Sequence, residues 1–160
     1  MNQISYRPKT EKDNEWLEKF LSKEWGTPII VYRGTEHNTL ELPTILAEMN
    51  GQIVGVITYY INRDRCEIVS INSLKEGLGI GSNLIEEVKQ IALDKGCKNL
   101  WLVATNDNIK ALGFYQKRGF KIVKIYPEAV NKSRKLKPEI PEIEAHGIPM
   151  RDEIELEMEL

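Results

Sequence analysis

The chain has 160 residues, of which 41% are hydrophobic and 29% charged, enough apolar material for one core and too little for two independent domains. A net charge of −2 argues against a polyanion-binding surface, because nucleic-acid domains carry a marked basic excess. No stretch reaches the ~20 apolar residues that cross a bilayer, and Met1 to Pro8 hold no signal-peptide run, so a cytoplasmic single domain over residues 1–160, without nucleic acid or membrane as partner, is expected.

Ile4 to Arg7 reads as a short strand. Thr10 to Ser22 reads as a helix, with Trp16, Leu17, Phe20 and Leu21 at helical spacing and Trp25-Gly26-Thr27-Pro28 as its stop. Ile29 to Tyr32 is extended. Thr44 to Met49 and Gln52 to Ile61 flank Asn50-Gly51, the strongest short hairpin signal. Cys66 to Ile71 is a further strand, after which Ile80, Leu84, Val88 and Ile91 mark one face of a helix ending near Gly96. Leu100 to Ala104 is the next strand. Asn108 to Arg118 is helical, with Asn106 or Asn108 as N-cap and Gly119 at its stop, and Lys121 to Ile125 is extended again.

From Asp152 to Leu160 acidic and apolar side chains alternate, the period of a half-buried strand. Before it lies a long connection, Tyr126 to Arg151, with four prolines and the basic run Lys132 to Lys137. Connections of that length are usually functional or disordered. The run reads as a solvated face, with a phosphate or adenine contact as its sharper alternative. Cys66 and Cys97 fall in strand and helix-end contexts rather than in a Cys-x-x-Cys pair, which suits a reducing cytosol.

Gly77-Leu78-Gly79-Ile80-Gly81-Ser82 stands between a strand and a strongly periodic helix, where backbone N–H groups and a helix N-terminus converge on one anion. Glycine lets phosphate approach the backbone and permits positive φ. A dinucleotide fingerprint requires glycine at the sixth position, where Ser82 stands, and a P-loop requires Gly-Lys-Ser/Thr, which is absent. The surviving pattern resembles the coenzyme A pyrophosphate loop of the GNAT superfamily, Arg/Gln-x-x-Gly-x-Gly, with Gly79 and Gly81 as its glycines. Glu76 occupies the Arg/Gln position, where a carboxylate repels pyrophosphate, and Lys75 is the neighbour that would offset it. The turn from Ile71 to Gly77 reads as shorter than usual in the superfamily, so Ile71, Asn72 and Ser73 together bracket the contact with the pantetheine arm.

Asn108-Ile109-Lys110-Ala111-Leu112-Gly113-Phe114-Tyr115-Gln116-Lys117-Arg118-Gly119-Phe120 resembles a second GNAT pattern, Asn-x-x-Ala-x-x-Phe-Tyr-x-x-x-Gly-Phe, at the expected distance from the first. The resemblance covers residues 44 to 126. It implies an α/β (α+β) fold, with a mixed, mostly antiparallel sheet of about six or seven strands flanked by helices. It further implies an acetyl-CoA-dependent N-acetyltransferase. Asn108 would meet the pantetheine arm, and Tyr115 would stand by the thioester sulfur as acid, with core packing as its alternative role.

An amine nucleophile of pKa about 10.4 must lose a proton before attack, and the departing thiolate must gain one. Backbone N–H groups near Ile71 suit the developing oxyanion. Cys66-Glu67-Ile68 resembles the GNAT strand that carries a catalytic glutamate, which makes Glu67 the candidate base, against a solvated strand glutamate or a water chain. Trp25, Arg33, Tyr59 and Tyr60 are candidates for the acceptor pocket or for rim packing. His37 and His146 fall in no catalytic motif, and no metal-ligand spacing occurs. The acceptor is left as a small-molecule or peptide amine, with a homodimer as one open oligomeric state. The competing reading, rooted in Glu76, is a catalytically lapsed acyl-CoA sensor or regulatory module.

Overall fold

Arg7 organises the start of the chain. Its guanidinium holds Asp13 at 2.8 and 2.9 Å and Glu48 at 2.7 Å, and Asp13 accepts in turn from the Thr10 backbone N–H. That knot ties β1 (Ile4–Pro8) to its neighbour β4 (Thr44–Met49) and makes a 3-10 turn of Glu11–Asp13. The first helix, α1 (Asn14–Trp25), therefore begins later than Thr10, and runs past Ser22 to Gly26, whose φ of 79° is the left-handed stop. The computed structural model describes residues 3–32 and 35–160.

β4 and β5 (Gln52–Asn62) form the expected hairpin, with Asn50 and Gly51 both at positive φ, 53° and 74°. β6 (Arg65–Ser73), β7 (Asn99–Thr105), β8 (Lys121–Tyr126) and β9 (Glu153–Glu159) complete a seven-stranded sheet in the order β1-β4-β5-β6-β7-β9-β8. Every neighbouring pair is antiparallel except β6 with β7. Helix α2 (Ile80–Asp94) joins that parallel pair, as a parallel connection requires. Separate from the large sheet, β2 (Ile29–Tyr32) and β3 (Thr35–Asn38) form a two-stranded ribbon.

The parallel pair is short. Arg65, Cys66 and Glu67 face Asn99, Leu100 and Trp101, and the strands then part while β6 continues to Ser73. A bulge drives the divergence: Ile68 pairs with Tyr59 and Ser70 with Thr58, leaving Val69 as the extra residue that bends β6. Cys66 and Ile68 face the α2 core, and past the bulge Ile71 joins them. Glu67, Ser70 and Asn72 share the opposite face.

Two apolar clusters sandwich the sheet. Ile57, Ile68, Leu100, Leu102 and Leu156 pack under Leu84 and Val88 of α2, while Leu17 and Leu21 of α1 pack on Leu46 and Val56. The alternation in β9 does not simply divide apolar from solvated: Glu153 and Glu155 are only 1% and 7% exposed, because β9 lies inside the sheet between β7 and β8. Tyr126 donates to Glu155 at 2.9 Å, and Arg65 lies 3.8 Å from Glu155 and 3.3 Å from Glu157. The long connection is ordered around α4 (Ala129–Leu136). Arg134 donates to the Ile140, Pro141 and Met150 carbonyls, and buried Lys137 to those of Trp25 and Ile29. Within the basic run, then, these two cations are structural pins, while Lys132 and Lys135 remain exposed.

Gly55 is the closest approach between sheet and helix: a Cβ there would sit 2.5 Å from Ile80 Cγ2 and 3.1 Å from Leu84 Cδ1. Gly55→Ala should therefore destabilise the fold by ~1–3 kcal/mol through overpacking. Chemical denaturation measures it, and Ile80→Ala should cost less in the Gly55→Ala background than in the wild-type chain.

Candidate active site

Gly77 and Gly79 take left-handed φ values of 75° and 69°, which turn the chain from β6 into α2. Gly79 is the N-cap and brings no capping side chain, so the first-turn N–H groups face outward. Gly81 is fixed by packing instead, since a Cβ would lie 3.1 Å from the Phe114 ring of α3 (Ile109–Lys117). Arg118 clamps the same joint, with its Nε 2.7 Å from Ser82 Oγ and its guanidinium over the Phe114 ring. Leu78 is exposed and Ile80 is core. Ser73 donates to the Lys75 carbonyl at 2.9 Å. Glu76 is solvent-exposed and pairs with Lys110 of α3 at 3.3 Å.

At the other wall of the gap, Asn108 is the N-cap of α3, accepting from the Ala111 N–H at 3.2 Å. Asn106, the alternative cap, instead accepts from the backbone N–H groups of Arg151 and Asp152. Tyr115 is 8% exposed and lies edge-on to Phe114 and Phe120. Burial pushes its phenol up to about 12, so the hydroxyl keeps its proton at neutral pH.

Glu67 is 6% exposed, which overturns the solvated-glutamate reading. Burial, and after it the charge of Glu155, push its carboxyl up to about 7. Its Oε2 accepts a hydrogen bond from the Tyr32 hydroxyl, and the Tyr32 ring stacks on His37 at 4.3 Å. Burial also lowers His37. On the face shared with Glu67, the buried Ser70 Oγ and Asn72 Oδ1 find no hydrogen-bond partner among the described residues. Tyr60, exposed, is the cross-strand neighbour of Glu67.

Tyr59 turns to the opposite face and lines a cleft of about 390 Å³ with Pro8, Lys9 and Pro43, which holds neither Glu67 nor Tyr115. Trp25 ends α1 with its ring exposed. His146 is exposed on a 3-10 turn at φ 61°, and Arg33 lies outside the described residues. Among the described residues, no three His, Cys, Asp or Glu side chains are grouped to hold a metal ion, and no helix is long and apolar enough to cross a membrane. The sequence reading missed Tyr32, Ser70 and Lys110, which become visible only when strands distant in sequence are aligned.

The sequence model of the Acetyltransferase (GNAT) family matches residues 9–120. YdhI of Bacillus subtilis is 42% identical over 148 residues, 92% of each chain. Among solved structures, an IAA acetyltransferase from Bacillus cereus superposes with a TM-score of 0.73 at 24% identity, covering 99% of this chain and 100% of the other. A GNAT family acetyltransferase from Elizabethkingia anophelis, with acetyl-CoA bound, superposes with a TM-score of 0.68 at 28% identity, covering 98% of each.

The raised carboxyl of Glu67 has a thermodynamic signature. The folded form holds this proton up to about pH 7, the unfolded chain only to about pH 4.3, so its contribution opposes folding increasingly as pH rises through that window. Glu67→Gln removes the penalty while keeping an oxygen for Tyr32. Melting curves should show the variant gaining on wild type from pH 5 to pH 8; a constant difference would contradict the raised pKa.

Proposed function

The chain belongs to the GNAT acetyltransferase family, and from that premise we propose that it is an acetyl-CoA-dependent N-acetyltransferase acting on a primary amine by direct attack on the thioester. The observation that carries this reading is the gap between β6 and β7. It runs from the glycine-led N-terminus of α2, with Tyr115 in the core on one side and Glu67 on the opposite face. A donor lying in that gap meets an acid from one face and an amine with its base from the other. The acetyl-CoA bound to the Elizabethkingia relative supports this choice of donor.

Acetyl-CoA supplies the activated acyl group. The turn from Glu76 through Ser82 fits its pyrophosphate, because Gly79 leaves no side chain over the α2 N-terminus and Lys110 offsets the Glu76 charge. Ile71, Asn72, Ser73 and Asn108 would flank the pantetheine arm. Glu67, titrating near 7, takes the proton that the acceptor ammonium must lose. Backbone N–H groups of β6 that face the gap stabilise the carbonyl oxygen as negative charge grows on it. Tyr115, protonated at neutral pH, gives its proton to the departing sulfur.

Tyr115→Phe should leave acetyl-CoA affinity nearly unchanged and lower kcat by ~10²–10⁴-fold, the usual worth of general acid catalysis. Wild-type turnover would reduce Tyr115 to packing. The acceptor is found by following free thiol release across a panel of small and peptide amines. An acyl-CoA sensor, the competing reading that Glu76 supports, would bind acetyl-CoA and release no thiol with any of them.

Glu76→Gln should tighten acetyl-CoA binding modestly in calorimetric titration by removing a repulsive carboxylate. The exposed pair with Lys110 adds little to stability, so the melting temperature should stay put. A weaker complex would mean that the Glu76–Lys110 pair itself shapes the turn.

A further inference from the structure

The geometry points to Tyr32 as the positioning residue for Glu67: from the β2–β3 ribbon its hydroxyl holds one carboxylate oxygen, leaving the other to meet the incoming amine. This rests on the reading of Glu67 as the base.

The ribbon shares no ladder with the seven-stranded sheet, so something else must fix Tyr32 above β6. Its foot is tied down: Thr39 donates to the Pro28 carbonyl through both its N–H and its hydroxyl, and Lys137, the C-cap of α4, donates to the Ile29 carbonyl. Ile30 is buried. Because Ile30 pairs with His37, Tyr32 shares a ribbon face with that histidine, and the two rings stack within 8° of parallel. Tyr32 therefore arrives over Glu67 already oriented.

Chemically, the hydroxyl opposes its surroundings. Among the described residues, the groups around Glu67 are Tyr32 and His37 of the ribbon, Tyr60 of β5, Trp101 of β7, Arg65 of β6, and Glu155 and Glu157 of β9. Arg65 is engaged by Glu157 and Asn99 and lies over the Trp101 ring. Burial and Glu155 favour the protonated acid, whereas a donor to the carboxylate favours the anion. A base must be anionic to work. Tyr32 thus holds the carboxylate in its working form and fixes its torsion, on the face of β6 that also carries Ser70.

The test follows the Glu67 carboxyl directly, by carbon-13 NMR of glutamate-labelled protein, with Glu67→Gln assigning the resonance. Tyr32→Phe keeps the ring and its stack on His37 and removes only the donor. The Glu67 midpoint should rise by about one pH unit, the acidic limb of kcat/KM for the best panel amine should rise with it, and acetyl-CoA affinity should hold. Site-specific 3-fluorotyrosine at position 32, a stronger donor that is still a neutral phenol at pH 7, should move the midpoint the other way. A merely structural tyrosine would not give opposite signs. An unmoved midpoint in both substituted proteins overturns the inference. If Glu67→Gln instead keeps the acidic limb, the base assignment fails, while the NMR midpoint still reports whether Tyr32 acts on Glu67.

Discussion

The parting of β6 from β7 is the constraint on which the rest of the structure depends. Two parallel neighbours that paired along their whole length would satisfy each other's backbone groups and leave no place for a ligand. Here they pair for three residues, and one extra residue, Val69, bends β6 away. The elements around the opening converge on it: α2 begins at its end, α3 lines one face, and the face bearing Glu67 is roofed by the ribbon. Gly55 lets α2 sit down on the sheet, and Gly81 lets α3 close against α2. These are packing demands, independent of any phosphate.

The face opposite α2 carries an electrostatic cost. Glu67, Glu153 and Glu155 are all buried, and buried carboxylates are tolerated only when neutralised, hydrogen-bonded or paired. Tyr126 and Arg65 serve Glu155, Tyr32 serves Glu67, and Glu67 answers further by holding its proton to higher pH. Aligning β6, β7 and β9 at the narrow end of the gap sets one carboxylate against the next. The same crowding that costs stability moves a glutamate toward the pH range where it can exchange protons.

Much of this was legible in the sequence where the signal is local. Asn50-Gly51, the periodic face of α2, and the stops at Gly26, Gly96 and Gly119 all follow from residue chemistry within one element. Non-local facts were not legible. Thr35–Asn38 has no strand composition and is a strand only because β2 lies beside it. Pro127, Pro138, Pro141 and Pro149 concealed a two-turn helix between them. The acid alternation of β9 gave a strand inside the sheet but not its two neighbours, so the burial of Glu153 and Glu155 could not be foreseen. At the candidate site, motif spacing named Tyr115, Asn108 and the glycines. Tyr32 and Lys110 carry no motif, because their partners lie far along the chain.

The position of β9 also has a consequence for how the chain reaches this state. β7 and β8 never touch as strands; each pairs with β9, which follows them only after α4 and the proline-rich connection. Until β9 arrives, both lack their neighbour, and even in the finished sheet β8 stays an edge strand with Ile122, Val123 and Ile125 exposed. Non-local pairing of this kind is slow, and an open apolar strand edge recruits other chains. The time residues 153–159 take to find their slot therefore sets how long the β7 edge stays open, while the β8 edge remains available to another chain even after folding.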